Sequence, residues 1–162
     1  MTDTAADYEH FARGALTRYG LDGASLRLLS FSENATYCAE RGDDSLVIRV
    51  HRPGYNTRTE VESELAWMEG VRTGSSIWTP EVHAMIDGGK VAEVVHAGES
   101  RLVDAFEFIP GEIAESPDSG IDYFDLGAIT AELHRHARSW NRPEGFRRFR
   151  WDLDTMLGRK GR

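Results

Sequence analysis

Along the first twenty residues the apolar side chains return every three to four positions. Tyr8, Phe11, Ala12, Ala15, Leu16 and Tyr19 fall on one stripe, the spacing of a helix with a single buried face. Gly20 stands where helices close in a left-handed cap. From residue 25 the period drops to two. Strands are predicted over 25–31, 36–40 and 45–51, and the third sets Leu46, Ile48 and Val50 on one face and Val47, Arg49 and His51 on the other. After Arg52-Pro53-Gly54 the helical period comes back. Val61, Leu65, Met68 and Val71 predict a helix over 57–72, with Glu60 and Glu64 on its flanking face.

Strand patterns resume over 81–86, 91–96 and 101–108. They are separated by Asp87-Gly88-Gly89-Lys90 and Ala97-Gly98-Glu99-Ser100, both hairpin-like turn sequences. Ile109-Pro110-Gly111 ends the sheet pattern, a long helix is predicted over 122–140, and a short one over 153–157. The order is helix, three strands, helix, three strands, linker, helix. It predicts an α+β fold: a mostly antiparallel sheet of about five to six strands with one inserted helix, followed by helices.

Composition narrows the function. Forty per cent of the 162 residues are apolar, enough for a packed core. The net charge of −8 argues against a general nucleic-acid binder, which needs clustered cations for phosphate. Arg142, Arg147, Arg148, Arg150, Arg159, Lys160 and Arg162 do crowd the last stretch, and a solvated or covered surface accounts for them better than an RNA-binding tail. Cys38 is the single cysteine, so no internal disulfide forms and a reducing compartment is expected. The N-terminus lacks the apolar core of a signal peptide, and no stretch approaches the length of a membrane span. The expectation is a cytoplasmic protein with no membrane and no nucleic-acid partner.

Five segments carry a likeness to known proteins: SFSENATYCAE (30–40), LVIRVHRPGY (46–55), ESELAWM (62–68), FEFIPGE (106–112) and LGAITAELHRHARSW (126–140). In this order they resemble the aminoglycoside phosphotransferase and choline/homoserine kinase-like family, whose N-lobe shares its plan with the protein kinases. The resemblance implies a nucleotide-binding N-lobe over 1–108, with 1–22 as a leading helix. It also implies a hinge and the truncated start of a helical C-lobe over 109–162. The expected cofactor is ATP, with Mg²⁺ only in a complete enzyme. The reaction implied is transfer of the γ-phosphoryl group to a hydroxyl of an aminoglycoside, amino alcohol or amino acid.

Within that frame each segment has a physical reading. A tight loop at 32–35 lays backbone N–H groups and the side chains of Ser32 and Asn34 over a triphosphate, although on its own the segment reads equally as a plain hairpin turn. Arg49, in the place of the kinase strand-three lysine, pairs the phosphates; alone it would be an ordinary surface arginine. Glu64 on the following helix reaches back to hold Arg49, with Glu60 one turn earlier as the competitor. Glu107, Phe108 and Ile109 form the hinge, offering backbone groups to the adenine edge and apolar walls to its faces. His134 and His136 are two residues apart and point to different faces, so they do not chelate one metal, and Cys38 reads as a small core residue.

No H-x-D-x-x-x-x-N loop and no later metal-binding Asp motif occurs in the sequence, so no catalytic residue and no metal ligand is assigned. The chain is expected to be inactive alone and to self-associate or to pair with a separate C-lobe chain. A non-catalytic nucleotide-binding or protein-interaction module, and a non-functional gene remnant, are the alternative readings.

Overall fold

A computed structural model describes residues 4–111, 120, 122–150 and 152–153. Helix α1 (Ala5–Leu16) runs into a single 3-10 turn, Thr17–Tyr19. Three strands follow: β1 (Ser25–Phe31), β2 (Ala35–Arg41) and β3 (Asp44–Val50). Helix α2 (Arg58–Gly74) comes next, then the hairpin of β4 (Val91–His96) and β5 (Glu99–Glu107), and finally helix α3 (Tyr123–Ser139). The strands form one antiparallel sheet in the order β1-β2-β3-β5-β4. This is the α+β plan of a kinase-like N-lobe.

The two faces of the sheet are built by the two-residue period read from the sequence. Ile48, Val50, Val103 and Ala105 turn to the side covered by α1, where Tyr8, Phe11, Ala15, Leu16 and Tyr19 complete the larger core. Val47 and Phe106 turn to the other side and pack with Val61, Leu65 and Met68 of α2. Helix α2 starts cleanly because Thr57 and Glu60 cap each other. The Glu60 carboxylate accepts from the Thr57 N–H at 2.8 Å, and the Thr57 hydroxyl accepts from the Glu60 N–H at 3.3 Å. The β4–β5 hairpin turns on Ala97 (φ 50°) and Gly98 (φ 84°), two positive-φ positions in a row, as a two-residue turn between right-twisted strands requires.

The strand predicted over 81–86 does not form. Val82 makes an isolated bridge to Phe106, and Met85 already turns to bond Gly89. The reason is space along one edge. β4 pairs with the first six residues of β5, which leaves only its end for a second neighbour on that side. The sheet therefore has five strands. Of the short helix predicted over 153–157, all but Leu153 lies outside the described residues, as do Trp151 and Asp154. No helix among the described residues is long and apolar enough to cross a membrane.

Helix α3 meets α2 near its C-terminal end. His136 Nε2 lies 2.9 Å from the Gly70 carbonyl and donates to it, and Glu132 accepts from the Ser76 backbone and hydroxyl at 2.8 Å. Its first turns carry a bare apolar face: Tyr123, Phe124, Leu126 and Ile129 are exposed, Phe124 by 82%.

Candidate functional site

On the α2 side of the sheet a chain of charges runs from β5 through β3 and α2 to the segment that follows α3. Arg49 on β3 stands directly opposite Asp104 on β5. Its guanidinium meets the Asp104 carboxylate edge-on, Nε to Oδ1 at 2.9 Å and Nη2 to Oδ2 at 2.6 Å. The remaining terminal nitrogen, Nη1, donates to Glu64 Oε1 on α2 at 2.7 Å. Glu64's other oxygen accepts from Arg148 at 2.7 Å, and His51 Nε2 sits 3.0 Å from Asp104 Oδ2. The Glu60 carboxylate accepts from Thr57 at the cap of α2, and the helix carboxylate that meets Arg49 is that of Glu64.

Asp104 is fully buried and Arg49 only 18% exposed. Taking such charges out of water is costly unless geometry and further hydrogen bonds compensate, and here they do. Burial pushes the Asp104 carboxyl up, but the Arg49 charge and the hydrogen bonds from His51 and Arg49 outweigh it and hold it below the usual carboxylate range. Glu64 follows the same balance: burial raises it, while Arg49 and Arg148 prevail and lower it. For Arg49, burial disfavours the cation, and the two carboxylates more than restore it. A guanidinium has five N–H donors, three of which are used here, so one remains on each terminal nitrogen for a further acceptor.

Beside this cluster lies a cleft of about 280 Å³. Leu29, Val47 and Phe106 of the sheet and Met68 of α2 give it apolar walls, Phe108 and Ile109 close it, and Arg49 stands at its margin. Phe106 carries the guanidinium over its ring at 4.9 Å. The volume lies near the lower end for ligand pockets, roughly 300 Å³. Glu107 also lines the cleft, but its N–H is donated to the Glu81 carbonyl at 2.9 Å and its carboxylate accepts from the Glu81 N–H at 3.2 Å. Phe108 and Ile109 follow the end of β5 and have no backbone partner among the described residues.

Of the residues singled out from the sequence, Arg49, Glu64, Glu107, Phe108 and Ile109 come together here. Ser32 and Asn34 do not line the cleft. They sit in the β1–β2 loop, where the Ser32 N–H bonds the Asn34 carbonyl at 3.0 Å and Asn34 Oδ1 accepts from the Arg52 N–H at 3.3 Å. Glu33 pairs with Arg52 at 2.8 Å and ties the same loop to the end of β3. Asp104, His51 and Arg148 are the members that sequence reasoning missed. A lone Asp in the apolar run of β5 was the available signal for the first. Cys38 is buried within β2. Among the described residues no three His, Cys, Asp or Glu side chains are grouped to hold a metal ion.

Residues 26–160 match the phosphotransferase enzyme family (APH). A solved structure of a microcompartment-associated aminopropanol kinase is 44% identical, superposes with a TM-score of 0.82 and is matched over 93% of this chain and 47% of its own. An amicoumacin kinase, solved with AMP-PNP, Ca²⁺ and its namesake ligand, shares the fold at a TM-score of 0.64 and 18% identity, over 82% of this chain and 41% of its own. An uncharacterized protein of Deinococcus radiodurans is 30% identical over 145 residues, which is 39% of its length. The chain thus spans about half, or less, of the length of these relatives.

Proposed function

This chain belongs to the phosphotransferase enzyme family, and on that premise we propose that it forms the ATP-binding portion of a small-molecule kinase. The observation that carries the reading is the Arg49–Glu64 ion pair at 2.7 Å, set at the margin of an apolar cleft that ends in a strand-to-linker segment. In this reading Phe106 and the aliphatic walls take the adenine ring. The backbone groups of Phe108 and Ile109 meet its edge, and the two remaining N–H groups of Arg49 reach the phosphates. Ser32 and Asn34 cover the phosphates from the β1–β2 loop, through the Ser32 hydroxyl and the amide nitrogen of Asn34. ATP supplies the phosphoryl group to be transferred. The likeness to an aminopropanol kinase favours a small amino alcohol as the hydroxyl acceptor within the range of amino alcohols, amino acids and aminoglycosides.

Of the acidic residues of the site, Asp104 and Glu64 are held by Arg49, and the Glu107 carboxylate accepts from the Glu81 N–H. The sequence also contains no H-x-D-x-x-x-x-N loop. These residues therefore bind and orient the nucleotide, and transfer requires groups from the other half of the kinase fold. The exposed face of Tyr123, Phe124, Leu126 and Ile129 on α3 is where that half, or a second copy of this chain, would pack. A buried, reduced Cys38 fits a cytoplasmic setting.

Thermal unfolding with and without millimolar Mg·ATP tests the reading, beside Arg49→Ala. Ligand at a hundred times its Kd stabilises by about 2.7 kcal/mol, or roughly 5–10 °C for a chain of this size. The shift is expected in the natural chain and lost in the variant. No shift at any nucleotide concentration would overturn the assignment.

A further inference from the structure

Glu64 is shared between two arginines. Its Oε1 accepts from Arg49 Nη1 and its Oε2 from Arg148 Nη1, each at 2.7 Å. Arg148 is brought to it by a segment that lies along α2 on contacts of its own. The Arg147 N–H donates to the hydroxyl of Ser63, a buried residue of α2, at 2.9 Å. Arg148 Nη1 also lies 3.4 Å from the Glu60 carbonyl. Earlier in the segment Trp140 stacks on His136 and takes the edge of Phe146 at 5.3 Å. The place of Arg148 is thus set by backbone and ring contacts, and the ion pair is added to them.

A carboxylate facing a guanidinium commonly engages it with both oxygens, in two parallel bonds. Asp104 meets Arg49 in this way. Glu64 does not, because its second oxygen is turned to Arg148. The consequence falls on the N–H groups of Arg49. Asp104 takes two and Glu64 one, which leaves two of the five for phosphate oxygens. A Glu64 with both oxygens on Arg49 would cover one of those two. It would also bring a negative charge, no longer offset by Arg148, to the margin of the cleft.

We propose that Arg148 is a positioning residue for the nucleotide site and acts through Glu64: by holding one carboxylate oxygen it keeps an N–H of Arg49 open to the phosphates. The proposal rests on the nucleotide reading above. It makes the segment after α3, which enters none of the nucleotide contacts named there, a determinant of nucleotide affinity. Displacing that segment from α2 releases Glu64 onto Arg49 and narrows the grip on phosphate.

The test is a double-mutant cycle read by isothermal titration calorimetry with Mg·ATP, on the natural chain, Arg148→Met, Glu64→Gln and the double variant. Arg148→Met should weaken binding roughly three- to tenfold, less than a full charge-assisted hydrogen bond because the pair is partly exposed. Glutamine at position 64 keeps an oxygen for Arg49 and carries no charge to compete with phosphate. In that background Arg148→Met should change the affinity by less than about twofold. Equal losses in both backgrounds would mean that Arg148 acts by its own charge, and overturn the proposal. A merely structural role would lower Tm in both backgrounds and leave the affinities unchanged, which overturns it as well. Absence of Mg·ATP binding by the natural chain overturns the nucleotide reading together with the proposal. Should Arg148→Met not fold, Arg148→Gln removes the same charge and takes its place in the cycle.

Discussion

Replacing Asp104 by Asn changes one oxygen to an amide nitrogen at the most buried ionised position described here. The side chain is fully buried and takes three hydrogen bonds, two from Arg49 and one from His51. Removing one partner of a buried pair costs about 3–5 kcal/mol. Two features reduce that figure. Glu64 still holds Arg49 at Nη1, and the amide retains one oxygen for a donor. The amide nitrogen, however, faces a donor with nothing to accept it, so we expect a loss of about 2–3 kcal/mol. For a chain of this size that lowers Tm by roughly 4–12 °C, measured by calorimetry at neutral pH. The effect has a defined pH dependence. Asp104 lies below its unfolded value when folded, so its contribution is complete above the ordinary carboxylate range and fades as pH falls through the folded value. The gap between the natural chain and Asp104→Asn should therefore be widest at neutral pH and narrow below about pH 4. The double variant Arg49→Met with Asp104→Leu should recover much of the lost stability, because apolar replacement of a whole buried pair is close to neutral. It should recover no nucleotide-dependent shift. An Asp104→Asn protein that melts within a degree or so of the natural chain, or an equal gap at acid and neutral pH, would refute the reasoning.

Gly70→Ala pits two effects against each other on α2. Alanine favours the helix by about 1 kcal/mol, but its Cβ would lie 2.5 Å from Nε1 of Trp140, a ring packed on His136 and Phe146. Overpacking at about 1–3 kcal/mol should win: the variant melts lower, and near-UV circular dichroism from Trp140 changes. A more stable variant with an unchanged spectrum would show that the 140–148 segment is not seated there. Tyr123→Ser with Phe124→Ser should shift the chain toward monomer in sedimentation velocity without lowering Tm, since both rings are exposed on α3. An unchanged association state would place any self-contact elsewhere.

What the sequence discloses here is governed by range. The stripe from Tyr8 to Tyr19 and the two-residue alternation of β3 are properties of neighbouring residues, and both faces of the sheet follow from them. The hairpin at Ala97-Gly98 is likewise local. The Arg49–Glu64 contact was reachable because strand and helix are consecutive and the kinase likeness supplied the pairing. Asp104 was not reachable. Its place opposite Arg49 depends on the register of β3 against β5, two strands that are neighbours in the sheet with α2 and β4 between them in the chain. Arg148 meets Glu64 across 84 residues, and no periodicity reports such a meeting. The segment over 81–86 misled for a related reason: its alternation is that of a strand, but β4 already holds most of that edge of β5.

The choice of arginine at position 49 follows from where its two carboxylates stand. Asp104 approaches from within the sheet and Glu64 from the helix above it. An ammonium on a flexible stem is a compact charge that answers one carboxylate well. A planar fork offers a side edge to one and a terminal nitrogen to the other. The two grips are unequal: two bonds to a carboxylate that is wholly buried, and one to a carboxylate that Arg148 also holds. The sheet therefore fixes the cation, and α2 adds to a position already set. In kinases that rely on a helix glutamate to place the strand-three lysine, a shift of the helix removes the cation from the phosphates. Here the same shift would leave Arg49 anchored to β5, with Glu64 released and a further N–H uncovered at the margin of the cleft.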